Sequence, residues 1–71
     1  MSVEANIREY LKNEGITQIS ISRRTGIKTP KLSMALKERR KLTIDELVAI
    51  CDTLKKTPND FLLPMGRKNS A

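Results

Sequence analysis

The basic side chains of this sequence are concentrated in one stretch, where they could bind the phosphates of a polyanion. Residues 23–41 hold eight lysines and arginines and a single acid, Glu38, so this segment has a net charge of +7. The formal charge of the whole chain is +6, so the remainder sums to −1. Such clustering indicates either a surface for a negatively charged partner or a solvated basic face. The cluster consists of Arg23, Arg24, Lys28, Lys31, Lys37, Arg39, Arg40 and Lys41.

Catalytic chemistry has little support in the same sequence. There is no histidine, and we expect Glu4 and the other acids on polar faces or at helix starts, where the helix dipole explains them. Cys51, the one thiol, falls on an apolar stripe and is best interpreted as a small buried hydrophobe. The three glycines are isolated, so they form no phosphate-cradling loop. We therefore expect no enzyme and no cofactor or metal.

Length and composition restrict the class of protein further. Seventy-one residues allow one small core. One cysteine without histidine excludes a zinc finger and a disulfide-stapled domain. No apolar run reaches the roughly 18 residues that a membrane span requires, and the first residues lack the pattern of a signal peptide. We expect a cytoplasmic protein without a membrane partner.

The first two helices are predicted from short apolar patterns. Four apolar residues share one face over residues 3–14, with Ser2 as a cap and Gly15 as the stop. Residues 16–22 alternate as a strand would, but no partner strand occurs, and Thr17 suits the start of a short helix that Gly26 ends. The first face is Val3, Ile7, Tyr10 and Leu11; the second would be Ile16, Ile19 and the stem of Arg23.

Three further helices complete an all-α prediction. Thr29 is expected to cap the third, with Pro30 in its first turn, and Thr43 and Glu46 form a capping box for the fourth. A fifth, short helix is predicted from the start Thr57-Pro58-Asn59-Asp60 through Phe61, Leu62 and Leu63. We expect residues 65–71 to be a flexible tail on a domain of residues 1–64. The apolar stripes are Leu32, Ala35 and Leu36 in the third helix, and Ile44, Leu47, Val48, Cys51 and Leu54 in the fourth.

Helices two and three form a helix, a turn containing Gly26, and a second helix. A helix with side chains is about 10–12 Å across, close to the roughly 12 Å width of the DNA major groove. Pro30, Met34, Lys37 and Lys41 point away from the apolar stripe of the third helix, and the +7 segment coincides with this unit. The unit is therefore interpreted as a DNA-binding one, although plain helical bundles also contain such pairs.

The ordered set of residues resembles the lambda-repressor-like, or Xre/Cro-type, helix-turn-helix family. The resemblance runs from about residue 5 to residue 63. It implies a compact five-helix domain whose third helix enters the major groove, usually in a dimer on a pseudo-palindromic operator. The residues that carry it are Thr17-Gln18, Ile21-Ser22, Thr25-Gly26-Ile27, Leu32-Ser33, Arg39-Arg40-Lys41-Leu42-Thr43, Leu47, Ile50-Cys51, Leu54, Thr57-Pro58 and Phe61-Leu62.

The resemblance also implies roles for particular positions. Gln18 corresponds to a phosphate-clamping glutamine at a helix N-terminus. Lys28, Thr29, Pro30 and Met34 fall at base-facing positions, and Arg39, Arg40 and Lys41 fall in a loop that contacts the DNA backbone. By the helical wheel, Lys31 and Lys37 flank these residues, and Ser33 and Arg23 complete the predicted set. Two alternatives stay open: Met34 could pack on the second helix, and Arg23 could serve only the helix dipole.

Some positions depart from the family pattern. Pro30 donates no hydrogen bond and Met34 offers only an apolar contact, such as to a thymine methyl, so direct readout rests on Lys28, Thr29, Lys31 and Ser33. Glu38 and Lys55 occupy positions where glycine often ends a helix, so these turns are expected to be built differently.

Several partners remain compatible with this sequence. The main prediction is a phage or mobile-element type repressor that binds a double-stranded operator as a homodimer. The dimer surface is expected around Phe61, Leu62, Leu63 and Met65, unless Phe61 and Leu62 only close the core. The alternative is an antitoxin or anti-repressor-like module that binds a protein partner on the same scaffold. Binding of single-stranded RNA is disfavoured because the chain has only two aromatic residues.

Overall fold

The computed structural model describes residues 2–62, which fold into five α-helices. No strand occurs in this range, so the all-α class and the helical interpretation of residues 16–22 are confirmed. The predicted helical residue Leu63 and the predicted tail at 65–71 lie outside the described residues. None of the described helices is long and apolar enough to cross a membrane. The helices are α1 Val3–Glu14, α2 Gln18–Thr25, α3 Thr29–Leu36, α4 Ile44–Leu54 and α5 Asn59–Leu62.

Most helix ends follow the local sequence signals. The Ser2 hydroxyl accepts a hydrogen bond from the first turn of α1. At the start of α4, the Thr43 hydroxyl accepts from the Glu46 N–H and the Glu46 carboxylate accepts from the Thr43 N–H, which confirms the capping box. Gly15 and Gly26 end α1 and α2 in the left-handed conformation, at φ +68° and +80°. These features fix both ends of α1, the end of α2 and the start of α4.

The start of α3 differs from the prediction. Lys28 is the N-cap and makes no capping bond with its side chain, while Thr29 is already helical and Pro30 follows it in the first turn. Thr29 was therefore wrongly predicted as the cap. Its hydroxyl is 3.2 Å from the Ser22 hydroxyl oxygen, to which it donates across the turn.

The helices α3 and α4 end in left-handed turns that contain no glycine. Glu38 has φ +63° and Lys55 has φ +57°. After α3, the Arg39 N–H donates to the Met34 carbonyl at 2.9 Å, and an analogous bond closes α4. This is the pattern that glycine normally completes. The expectation of differently built turns was wrong, because the chain keeps the turn and accepts a side chain at a strained φ.

The core lies where α1, α2, α3 and α4 meet, with α5 closing it against α1. The Tyr10 and Phe61 rings pack edge to face with centroids 5.6 Å apart, and the Asn6 amide donates to the Phe61 carbonyl at 2.8 Å. Cys51 is buried as predicted, and burial, with Asp60 nearby, raises the pKa of its thiol. The core cluster is Ile7, Leu11, Ile21, Ile27, Leu32, Leu36, Ile50, Cys51 and Phe61.

Three apolar residues that were predicted to face the core are exposed instead. Ile19 is 57% exposed, Ile44 76% and Val48 53%. The helix α2 buries Ile21, which lies about 200° around the helix axis from Ile19. The helix α4 buries Ile50 and Cys51, while Leu47 and Leu54 only border the core. The predicted stripes were wider than the face that each short helix buries, and the Arg23 stem is likewise exposed.

Candidate nucleic-acid interface

Three side-chain hydroxyls hold the turn between α2 and α3. The Ser22 hydroxyl donates to the Ile27 carbonyl, and the Thr29 hydroxyl donates to the Ser22 oxygen. The Thr25 hydroxyl donates to the Ile21 carbonyl at 2.8 Å and accepts from the Ile27 N–H at 3.2 Å. Both polar backbone groups of Ile27 therefore have partners, and this network helps to fix the angle at which α3 leaves α2.

The other end of α3 is tied to the first helix. The Arg8 guanidinium donates to the Leu36 carbonyl at 2.9 Å, so one of the last carbonyls of α3 has a partner other than water. Leu32, Ala35 and Leu36 are fully buried and anchor the inner side of the helix. With both ends and one side held, α3 presents a fixed outer face.

The loop of residues 37–43 follows α3 and is held by a buried carboxylate. Glu4 is only 7% exposed, and its side chain accepts a hydrogen bond from the Leu42 N–H at 2.9 Å. Glu4 lies in the first turn of α1, as expected of an acid at a helix start, but it is buried and its carboxylate satisfies a backbone donor of a distant loop. A buried carboxylate is tolerated when it receives such a bond.

The same loop is held a second time by an ion pair. Arg40 Nη2 lies 3.1 Å from Glu46 Oε1 and 3.3 Å from Glu46 Oε2. Glu46 also accepts from the Thr43 N–H at 3.0 Å. This backbone hydrogen bond, followed by Arg40 and the charge of Lys31, holds the pKa of Glu46 below its ordinary value. The side chains of Arg40 and Glu46 are only 27% and 17% exposed.

The predicted DNA-binding residues fall into two groups by exposure. Gln18, at the start of α2, is half-buried, as are Ser33 and Arg40. Met34 is 42% exposed, so a large part of its side chain is open to solvent. The exposed members, on α3, beside it or at the end of α2, are Arg23, Lys28, Thr29, Pro30, Lys31, Met34, Lys37, Arg39 and Lys41.

The predicted dimer residues separate in the structure. Phe61 is 1% exposed and packs in the core, so it is not available as a dimer contact and that prediction is corrected. Leu62 is 56% exposed and does not close the core. Leu63 and Met65 lie outside the described residues.

The sequence did not identify four residues that position this surface. Ser22 and Thr25 lie in the last turns of α2, where hydroxyl side chains before a glycine signal a bonded turn. Glu4 and Arg8 gave no local signal, because their partners lie 38 and 28 residues away along the chain.

Two helices joined by a bonded turn, the second with an exposed basic face, define a helix-turn-helix DNA-binding domain. A family model of the Cro/C1-type HTH DNA-binding domain matches residues 6–63, and the chain belongs to this family. The resemblance to lambda-repressor-like domains is thereby confirmed, and the protein is a DNA-binding regulator by class. Such domains are typically not enzymes. Comparisons with curated proteins and with solved structures returned no match.

Proposed function

We propose that the protein is a transcriptional repressor of the phage or mobile-element kind, which recognises double-stranded operator DNA in the cytoplasm. Residues 1–64 would form the DNA-binding domain and residues 65–71 a tail. One observation carries the proposal: the exposed cations of the +7 segment adjoin the outer face of a rigidly held α3. The exposed cations on α3 or directly beside it are Lys28, Lys31, Lys37, Arg39 and Lys41, and Arg23 is exposed in the last turn of α2.

The outer face of α3 has a mixed chemistry that suits base edges in the major groove. Lys28 and Lys31 supply ammonium donors, which pair with the acceptors of guanine, and Thr29 supplies a hydroxyl. Pro30 and Met34 supply an exposed apolar surface beside them, which suits contact with thymine methyl groups. Ser33 is half-buried, so its hydroxyl is less accessible to a base than that of the exposed Thr29.

Phosphate contacts would fix the helix in the groove. Gln18 begins α2 directly after the N-cap Thr17, so its amide and the free N–H groups of the helix start can bind one phosphate oxygen. Arg39 and Lys41 are exposed in the loop after α3 and would bind the backbone on the other side. Arg23 lies in the last turn of α2 and adds a contact or only complements the helix dipole.

Binding as a homodimer on a pseudo-palindromic operator accords with the small size of a single DNA-binding domain. Two copies would reach half-sites about one helical turn apart. Leu62, more than half exposed, is the described member of the proposed dimer surface. Sedimentation equilibrium of Leu62→Glu tests this directly, because a dimer in the wild type should become a monomer in the variant. An unchanged dimer would show that Leu62 does not lie in the interface.

Selection of bound sequences from random duplex DNA, followed by fluorescence anisotropy on the selected duplex, tests the main proposal. Affinity should fall steeply between about 50 and 200 mM salt as counterions are released. Lys41→Ala should lower the slope of log K against log salt by about 0.9. Lys12→Ala, an exposed lysine on α1, is the matched control and should leave the slope unchanged. No enrichment of any sequence, with no binding at low salt, would refute the proposal.

A protein-interaction module of the antitoxin or anti-repressor kind is the second candidate, and one observation favours it. Ile44 and Val48 lie one turn apart on α4, and both are exposed, so α4 offers apolar surface that the core does not use. A double substitution of Ile44 and Val48 by serine separates the two functions. It should abolish capture of a protein partner while leaving the DNA affinity unchanged if this candidate is correct.

A further inference from the structure

We propose that Arg40 is a positioning residue of the DNA-binding loop and not a phosphate ligand. This inference rests on the proposed function, since it assigns roles within the same DNA-binding surface. In sequence, Arg40 stands between two other cations, Arg39 and Lys41, and the three resemble one basic patch. In the structure their surroundings differ: Arg39 and Lys41 are exposed, whereas Arg40 is half-buried.

The charge of Arg40 already has a partner inside the protein. Both oxygens of the Glu46 carboxylate lie within 3.3 Å of Arg40 Nη2. Another guanidinium nitrogen of Arg40, Nη1, is itself buried. With Nη2 paired to Glu46 and Nη1 buried, little of this guanidinium is open to a phosphate. Turning it outward would leave the Glu46 carboxylate unpaired beside the negatively charged backbone. The neighbouring cations bind without that cost.

The partner of Arg40 is itself fixed in place. Glu46 receives the Thr43 N–H, and its own N–H donates to the Thr43 hydroxyl, so the carboxylate is part of the capping box of α4. Arg40 therefore ties the middle of the loop to the start of α4. Its guanidinium and the Thr43 N–H bind the same carboxylate and share the Oε1 atom of Glu46.

A second bond fixes the same loop two residues further on. The buried Glu4 carboxylate of α1 accepts from the Leu42 N–H. The loop is thus attached to α4 through Arg40 and to α1 through Leu42. Between these two points stands Lys41, exposed, and immediately before them stands Arg39. Arg40 acts on DNA through Arg39 and Lys41, because its ion pair fixes the loop backbone from which these two side chains extend.

Fluorescence anisotropy with the selected duplex distinguishes the two roles, because Glu46→Gln changes the DNA affinity in opposite directions in the two cases. In the positioning role, Glu46→Gln and Arg40→Ala both weaken binding by about fivefold. This is the change in affinity that corresponds to the loss of one favourable surface ion pair. Both variants leave the slope of log K against log salt unchanged. The double variant binds DNA only slightly more weakly than either single variant. In the phosphate-ligand role, Glu46→Gln frees Arg40 and tightens binding, while Arg40→Ala lowers the slope by about 0.9.

Two matched variants calibrate the measurement. Asp45→Asn removes the same charge from an exposed residue beside Glu46 and should not weaken binding. Lys41→Ala should lower the slope as a true phosphate contact does. Tighter binding by Glu46→Gln, a lowered slope in Arg40→Ala, or no effect of either would overturn the positioning role. If Arg40→Ala melts below the assay temperature, Glu46→Gln decides alone. Failure of the proposed function is distinct: the wild type then binds no DNA.

Discussion

The left-handed residue that follows the recognition helix allows a quantitative prediction. Glu38 has φ +63°, a conformation that costs a residue with a Cβ about 1–2 kcal/mol. Glycine avoids that cost but loses about 0.5–1 kcal/mol more backbone entropy on folding. The variant Glu38→Gly should therefore gain about 0.5–1 kcal/mol in the free energy of unfolding relative to a variant that keeps the Cβ.

The control for this prediction is Glu38→Ala. Both variants remove the one acid of the +7 segment, and both remove a negative charge from the C-terminal end of α3, where it is unfavourable. Only Glu38→Gly also removes the Cβ. Thermal unfolding followed by circular dichroism should place its Tm about 3–6 °C above that of Glu38→Ala.

The two variants should behave alike toward DNA. Each removes the same repulsive charge beside Arg39, so both should bind the selected duplex more tightly than the wild type and to a similar degree. A Tm of Glu38→Gly equal to or below that of Glu38→Ala would refute the reasoning, because the turn would then hold no strain for glycine to release.

Three further predictions concern the turn before α3 and the capping box of α4. Gly26→Ala should lower the free energy of unfolding in chemical denaturation by about 0.5–1 kcal/mol, because the strain of a Cβ at φ +80° exceeds the entropy that alanine saves, although the added Cβ meets nothing within 4 Å. An unchanged midpoint would contradict the assigned conformation. Ser22→Ala removes the partner of the Ile27 carbonyl and of the Thr29 hydroxyl and should cost about 1 kcal/mol, whereas Ser20→Ala should cost little. The lowered pKa of Glu46 stabilises the fold above its ordinary value of 4.5, and this contribution is lost as the pH falls below 4.5 through the lowered folded value; urea unfolding over that range should show a smaller loss in Glu46→Gln.

Local signals explain why most of the fold could be predicted. Gly15, Gly26 and the Thr43–Glu46 capping box act within one helical turn, so the residues alone indicate where the helices end. The family pattern rests on the same short-range features together with the spacing of the core residues. For that reason the helices, their order and the helix-turn-helix unit agree with the structure.

The contacts that hold the DNA-binding surface were harder to predict. The bonds of Glu4 and Arg8 join residues far apart in the sequence, and no spacing rule points to them. Exposure also depends on which neighbour a helix meets: Ile19 and Val48 fit an apolar pattern, yet the adjoining helices cover other faces. Charge gave the location of the basic segment but could not distinguish Arg40, which is paired, from Lys41, which is exposed.

The hydrogen bonds from Thr29 to Ser22 and from Ser22 to Ile27 limit which bases Thr29 can recognise. Ser22 has one hydroxyl hydrogen, which it gives to Ile27, so the hydrogen in the Thr29–Ser22 bond must come from Thr29. Toward DNA, Thr29 then presents lone pairs only. It can accept from the amino group of adenine or cytosine, and it has no hydrogen to give to the O6 and N7 atoms of guanine.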